Sequence, residues 1–229
     1  GTAGAIRRAA QVSKKGDIIL LELHRPGPRY NFQSRSDQRG YIAIEWWPDD
    51  FAAVRYAVTM VMIVVGAAGN GAENLNSSIY NTRPAGFPAS WRNPFNRSMA
   101  DSGAVLVGAG APPPGTHGRN HGPDRSRLGF SNYGTAVDAQ GWGREVTTTG
   151  YGDLQGGSNE DLWYTDQFSG TSSASPMAAR SPSSAVVAAA PVAAAGPPPV
   201  DLAPPPAARP DDWDPIAFNW ERGNAGAVP

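Results

Sequence analysis

The residue best placed to act as a nucleophile lies in the run Ser169-Gly170-Thr171-Ser172-Ser173-Ala174-Ser175-Pro176-Met177. Small residues permit a tight turn, and the hydroxyl cluster followed by proline predicts a helix start with Pro176 in its first turn. Ser172 would then meet the positive end of that helix, where N–H groups without intrahelical acceptors converge. A hydroxyl beside such donors suits acyl transfer through a tetrahedral oxyanion. The same letters also spell a Ser/Thr-rich helix cap without chemistry, and spacing alone leaves both readings open. About a hundred residues earlier, Val64-Val65-Gly66-Ala67-Ala68-Gly69-Asn70-Gly71 reads as a buried strand that ends in small residues and presents Asn70. A carboxamide there can donate to a developing oxyanion, an interaction worth roughly 2.7–4 kcal/mol. Taken alone, an asparagine before Gly71 reads better as a turn residue.

Other chemistry-bearing residues carry less. The chain has three histidines, His24, His117 and His121. His24 ends a strand beside Arg25 and Pro26, which fits either substrate contact or a plain surface position. His117 and His121 are four apart, a spacing that suits a metal only on a helix, and the prolines and glycines around them argue against one. No metal site is assigned. Asp101-Ser102-Gly103 reads as a loop turn. Glu45, Asp49 and Asp50 beside Trp46 and Trp47 read as a helix cap next to packed aromatics rather than a sugar cleft with paired carboxylates. The same holds for Glu160 and Asp161 before Trp163. Gly66, Gly69 and Gly71 lack the spacing of a dinucleotide loop.

The elements that would position these residues alternate. A helix is expected over Ala3–Lys15, stopped by Lys14, Lys15 and Gly16. Ile18–Leu21 is a continuous apolar run of strand length, suited to a parallel strand covered on both faces. His24 to Gly40 reads as loop and Tyr41–Trp47 as a second strand. A helix from Pro48 or Asp49 to about Val58 follows, with proline and acids at its start. The Val64 run and Gly103–Ala111 supply two more strands, and residues 71–100 read as loop. Short strands and turns fill the stretch from Leu128 to Gly152. Strand, helix, strand in this order implies βαβ units and a mostly parallel sheet.

The 229 residues suffice for one domain with a core and leave room for a tail. Net charge is −1, which gives no nucleic-acid or anionic-membrane footprint. No apolar run reaches the length of a membrane helix. The absence of cysteine excludes disulfides, thiolate catalysis and zinc–thiolate or iron–sulfur sites. From 178 to 210, 12 Ala and 9 Pro fill 21 of 33 positions, which predicts that residues 177–229 form a disordered tail after a domain at 1–176.

Together, the two motifs resemble those of the subtilisin-like serine peptidases (subtilases). That family carries its nucleophile in "GTSxAxP", here Gly170 to Pro176, and its oxyanion asparagine in "AAGN", here Ala67 to Asn70. "LGFSNYGTAVDAQGWG" is similar to the family's "FSxxGxxVDVxAPG", and "GDIILLELHRPG" resembles the strand walling one side of its substrate cleft. Asn70 also separates the chain from the sedolisins, which place an aspartate in the oxyanion role. The resemblance implies a doubly wound α/β fold, incomplete here, with a mostly parallel sheet and flanking helices. It implies a serine endopeptidase acting on polypeptides without a cofactor, commonly secreted. Ser172 is the implied nucleophile and Asn70 the oxyanion donor, with substrate along Leu23 and His24 on one side and Ala67, Ala68 and Gly69 on the other. The family order is Asp, His, Ser, and in subtilisin the histidine precedes the serine by about 157 residues. No histidine stands there in this sequence, so the resemblance also implies that the part with the catalytic Asp and His is missing. The alternative is a non-catalytic binding or remnant module that keeps the fold.

Overall fold

The computed structural model describes residues 1–179. It opens with helix α1, Thr2–Val12, which buries Ile6 and Ala10 one turn apart. Strand β1, Ile18–Leu21, follows. The next segment, expected as loop as far as Gly40, instead opens with β2, His24–Pro26, which pairs antiparallel with β3, Tyr41–Ala43, the start of the expected second strand. The strand expected to run on to Trp47 stops at Ala43, and Ile44–Trp46 winds into a single 3₁₀ turn. Packing explains the stop: Trp46 is fully buried, edge-on to Trp47 and Trp91, with its indole N–H donated to the Tyr80 carbonyl at 3.1 Å.

Helix α2, Pro48–Thr59, starts as its sequence dictates, with proline first and Asp49 and Asp50 in the first turn. Asp50 also pairs with Arg25 of β2 at 2.8 Å. The carboxylates beside Trp46 and Trp47 therefore start a helix and brace the ribbon. Strands β4, Ile63–Ala67, and β5, Val105–Gly110, come next, then β6, Ala139–Trp142. A hairpin of β7, Val146–Thr149, and β8, Tyr164–Phe168, leads into helix α3, Thr171–Ala179.

The main sheet is parallel throughout, in the order β1-β4-β5-β6. It is an α/β fold with helices on both faces. Val64 packs with α1 and α2 on one side, and Val65, its neighbour in sequence, packs with Ala174 of α3 on the other. That alternation is why β4 is apolar without interruption. β1 departs from the expected two-sided burial. Ile19 and Leu21 are buried, but Ile18 and Leu20 are each 37% exposed, because α3 lies mainly over β5 and β6. Among the described residues no strand pairs with the outer edge of β1.

α3 extends through Pro176, which stands in its second turn rather than its first. Gly170, at φ +103°, reverses the chain just before Thr171, so the helix begins five residues ahead of the proline. Met177, Ala178 and Ala179, expected in the tail, continue the helix. The rest of the expected tail lies outside the described residues. α3 sits very close to the sheet: a Cβ at Gly141 of β6 would collide with the Ala174 carbonyl oxygen.

Candidate functional site

β4 and α3 deliver the two sequence motifs to one place. Beyond Ala67, β4 turns at Gly69, and Asn70 reaches across to the first residue of α3. The Asn70 side-chain oxygen accepts from the Thr171 N–H at 2.8 Å and from the Thr171 hydroxyl at 2.9 Å. The same hydroxyl accepts the Gly69 N–H at 3.2 Å. Two donors on one oxygen fix which end of the carboxamide is which, so the Asn70 nitrogen points away from Thr171.

The hydroxyls of the Ser/Thr cluster divide by burial. Thr171 is 1% exposed and tied to Asn70 and Gly69. Ser173 is fully buried and shares its one hydroxyl proton between the Trp142 and Gly170 carbonyls. Ser175 is fully buried as well. Ser172 alone among them is half-buried, and its hydroxyl has no hydrogen bond to any described residue. As the second residue of α3, its N–H belongs to the helix's first turn, where no intrahelical acceptor exists. Pro176, lacking an N–H, also leaves the Ser172 carbonyl without its i+4 donor.

His24 stands under this turn. Its Nδ1 accepts the Asn70 backbone N–H at 3.1 Å, which places the ring proton on Nε2. Burial pushes the His24 pKa down to about 4, so the ring is neutral at neutral pH. It packs edge-on against Tyr41 at 4.9 Å. His24 thus holds the Asn70 main chain. The Ala67, Ala68 and Gly69 segment is equally committed. Ala68 N–H donates to the Val107 carbonyl, and the Gly69 carbonyl accepts from the Asn132 N–H at 3.0 Å. The Asn132 carboxamide donates to the Ala68 carbonyl at 2.7 Å and the Tyr41 carbonyl at 2.8 Å, while its oxygen accepts the Glu73 N–H at 2.8 Å. Asn132, 1% exposed, is a tie between β3, the strand end and the loop after Asn70 that residue-by-residue reading missed. The only signal was its place in "FSNYG".

One family model decides what this arrangement belongs to: it describes the subtilase family and matches residues 30–190. The chain belongs to the subtilase family. Among solved structures it is similar to the S41 psychrophilic protease (22% identity, TM-score 0.42, covering 77% of this chain and 46% of that one). It is also similar to the nisin leader peptidase NisP of Lactococcus lactis (20%, 0.43, 78% and 49%). A third is the epidermin leader peptide processing serine protease EpiP of Staphylococcus aureus (22%, 0.42, 78% and 41%). The chain spans less than half the length of these structures. No curated protein matches it.

The remaining polar clusters of this subtilase chain lie apart from the Asn70–Thr171 contact. His117 sits in a 3₁₀ turn, not on an α-helix. His121 Nε2 and Arg119 each meet a Glu145 carboxylate oxygen at 2.6 Å. Burial raises the Glu145 pKa, but the hydrogen bonds from Arg119 and His121 outweigh it and hold the carboxyl below its ordinary value. Among the described residues no group of three or more His, Asp or Glu is placed to hold a metal. Asp101 accepts the Gly103 N–H in a tight turn, and Ser102 donates to Glu45 at 2.5 Å.

Leu23 and Ala67, from the two expected walls of the substrate cleft, meet at a small void of about 10 Å³ also lined by Leu21, Ile44, Glu45 and Val54. Glu45 is 2% exposed. Burial lifts its pKa to about 7, against the hydrogen bond from Ser102 and the charge of Arg97.

Proposed function

We propose that this chain supplies the nucleophile and oxyanion-binding part of a serine endopeptidase. The observation that carries the reading is the pinning of the Asn70 carboxamide by Thr171, the residue next to Ser172. In this reading Ser172 Oγ attacks the scissile carbonyl carbon. The resulting oxyanion accepts from Asn70 Nδ2 and from the Ser172 N–H, and collapse expels the amine. Polypeptide substrate lies along Leu23 and His24 and against Ala67, Ala68 and Gly69. Because the main-chain groups of Ala68 and Gly69 are already paired, contact there is through their nonpolar surface.

The proton on Ser172 needs a base. All three histidines are engaged elsewhere: His24 on Asn70, His117 with the Asp166 carbonyl at 3.2 Å, and His121 on Glu145. In this reading a histidine base and its orienting aspartate come from residues beyond these 229. In subtilisin, loss of the histidine alone costs about 2 × 10⁶ in kcat. The second reading, a non-catalytic module, is favoured by that same lack of a partner on the Ser172 hydroxyl.

A fluorophosphonate probe separates the two. Labelling of Ser172 in the longest form that the encoding DNA specifies, abolished by Ser172→Ala and nearly absent from the 229-residue chain, supports the peptidase. No labelling in either form supports the binding module.

A further inference from the structure

We propose that Gln38 is a latch on the oxyanion donor: in the free site its side-chain carbonyl occupies Asn70 Nδ2 and is displaced by the carbonyl oxygen of a bound polypeptide. The inference rests on the reading of Asn70 as the oxyanion donor. Asn70 Nδ2 donates to Gln38 Oε1 at 3.1 Å. That contact is not needed to orient the carboxamide, because Thr171 already holds Oδ1 twice and His24 holds the main chain. What Gln38 adds is an acceptor, and an amide carbonyl is the same acceptor chemistry as a peptide's.

The surrounding turn delivers Gln38 to this place. Gln38 N–H donates to the Arg35 carbonyl and Tyr41 N–H to the Gln38 carbonyl, both at 3.1 Å. Arg35 grips Asp37 with two bonds of 2.8 and 2.6 Å, and the Arg35 N–H donates to the Tyr41 hydroxyl at 3.0 Å. Gly40 N–H then ties the turn to the Gly71 carbonyl, one residue past Asn70, at 3.0 Å. Gln38 itself has φ +55°, a left-handed conformation that a non-glycine keeps where its surroundings impose it. Its side chain is exposed, so swinging out into water costs only the small net worth of one intramolecular hydrogen bond. A neutral acceptor exchanges evenly with a ground-state carbonyl. It loses to an oxyanion, whose charge-assisted bond is about twice as strong.

The test uses the ¹⁵N-labelled 229-residue chain and Gln38→Asn, which tolerates the left-handed backbone and is one methylene too short to reach. The two Asn70 side-chain amide protons are identified by their loss in Asn70→Ser. Gln38→Asn should move one of them upfield; if neither moves, the latch is refuted. Titration with acetyl-Ala-Ala-Ala carboxylate, whose terminal oxygen mimics the oxyanion, should give affinity about 2- to 10-fold tighter in Gln38→Asn than in wild type. Gln38→Glu, which places a carboxylate against that of the ligand, should weaken it. Unchanged or weaker binding in Gln38→Asn overturns the latch. Binding to Asn70→Ser equal to wild type, or no binding to either wild type or Gln38→Asn, overturns the oxyanion role of Asn70 itself. Loss in Asn70→Ser without gain in Gln38→Asn removes the latch alone.

Discussion

The Asn70 side-chain oxygen takes both polar hydrogens of Thr171, a residue 101 positions later in the chain. Strand end and helix start are thereby joined by one side chain, and the Thr171 hydroxyl passes the connection on to the Gly69 N–H. Thr171→Val keeps shape and volume but leaves the Gly69 N–H buried without an acceptor. It should destabilise the fold by about 1–3 kcal/mol, while Thr171→Ser, which keeps the oxygen, should cost less. Urea unfolding of the two variants at one pH compares them directly, and equal midpoints would remove Thr171 as the connector.

Asn70→Asp separates holding from donating. A carboxylate can still accept both Thr171 donors, so the fold should keep its denaturation midpoint. It offers no N–H, so turnover should fall roughly 10²–10³-fold, the loss typical for one oxyanion donor. The measurement is peptide hydrolysis by the longest encoded form, alongside unfolding of the same variant. A variant that hydrolyses at the parent rate removes Asn70 from the reaction.

Much of the frame was legible because local chemistry and tertiary role agree. α2 has its proline and acids where a helix begins, and β4 and β5 are apolar because both faces are covered. The β2–β3 ribbon was not legible: Pro26, Gly27 and Pro28 read as loop, and only pairing with Tyr41 to Ala43 makes a strand of His24–Pro26. β8 was missed for a similar reason. Its Thr165 is fully buried against β7 and Asp166 is tied to Arg119, so its mixed letters show no period. The motif letters indicated a hydroxyl at a helix start, but not which hydroxyls would be buried. That division among Thr171, Ser172, Ser173 and Ser175 comes from Gly143, Trp142 and Asn70 packing around the turn. Gln38 carries no signal at all, since its partner is 32 residues away and nothing local encodes the pairing.

His24 should make stability fall in acid. Its folded pKa, about 4, lies below its ordinary 6.5, so between these values the unfolded chain binds more protons than the folded one. The stabilisation is complete above about pH 6.5 and is lost as pH drops through 4. Protonation of Nδ1 would also remove the acceptor for the Asn70 N–H. His24→Asn places a non-titrating oxygen near the Nδ1 position. Because Glu45 opposes this slope, urea unfolding between pH 4.5 and 6.5 should show stability rising toward acid in this variant where wild type changes little, and parallel curves would refute the assignment.

Glu45 should act in the opposite direction over nearly the same range. Its folded pKa of about 7 lies above the ordinary 4.5, so the folded state holds the extra proton and stability declines as pH rises from 4.5 through 7. The two slopes partly cancel in the parent chain, which should look nearly flat between about pH 4.5 and 6.5. Glu45→Gln keeps an oxygen for the Ser102 hydroxyl and removes the titration. It should therefore uncover the His24 slope, with stability climbing until about pH 6.5 and exceeding wild type at pH 8. The double variant with His24→Asn should be flat again. A Glu45→Gln curve that tracks wild type across this range would mean that Glu45 titrates as an ordinary carboxyl despite its burial beside Leu21 and Val54.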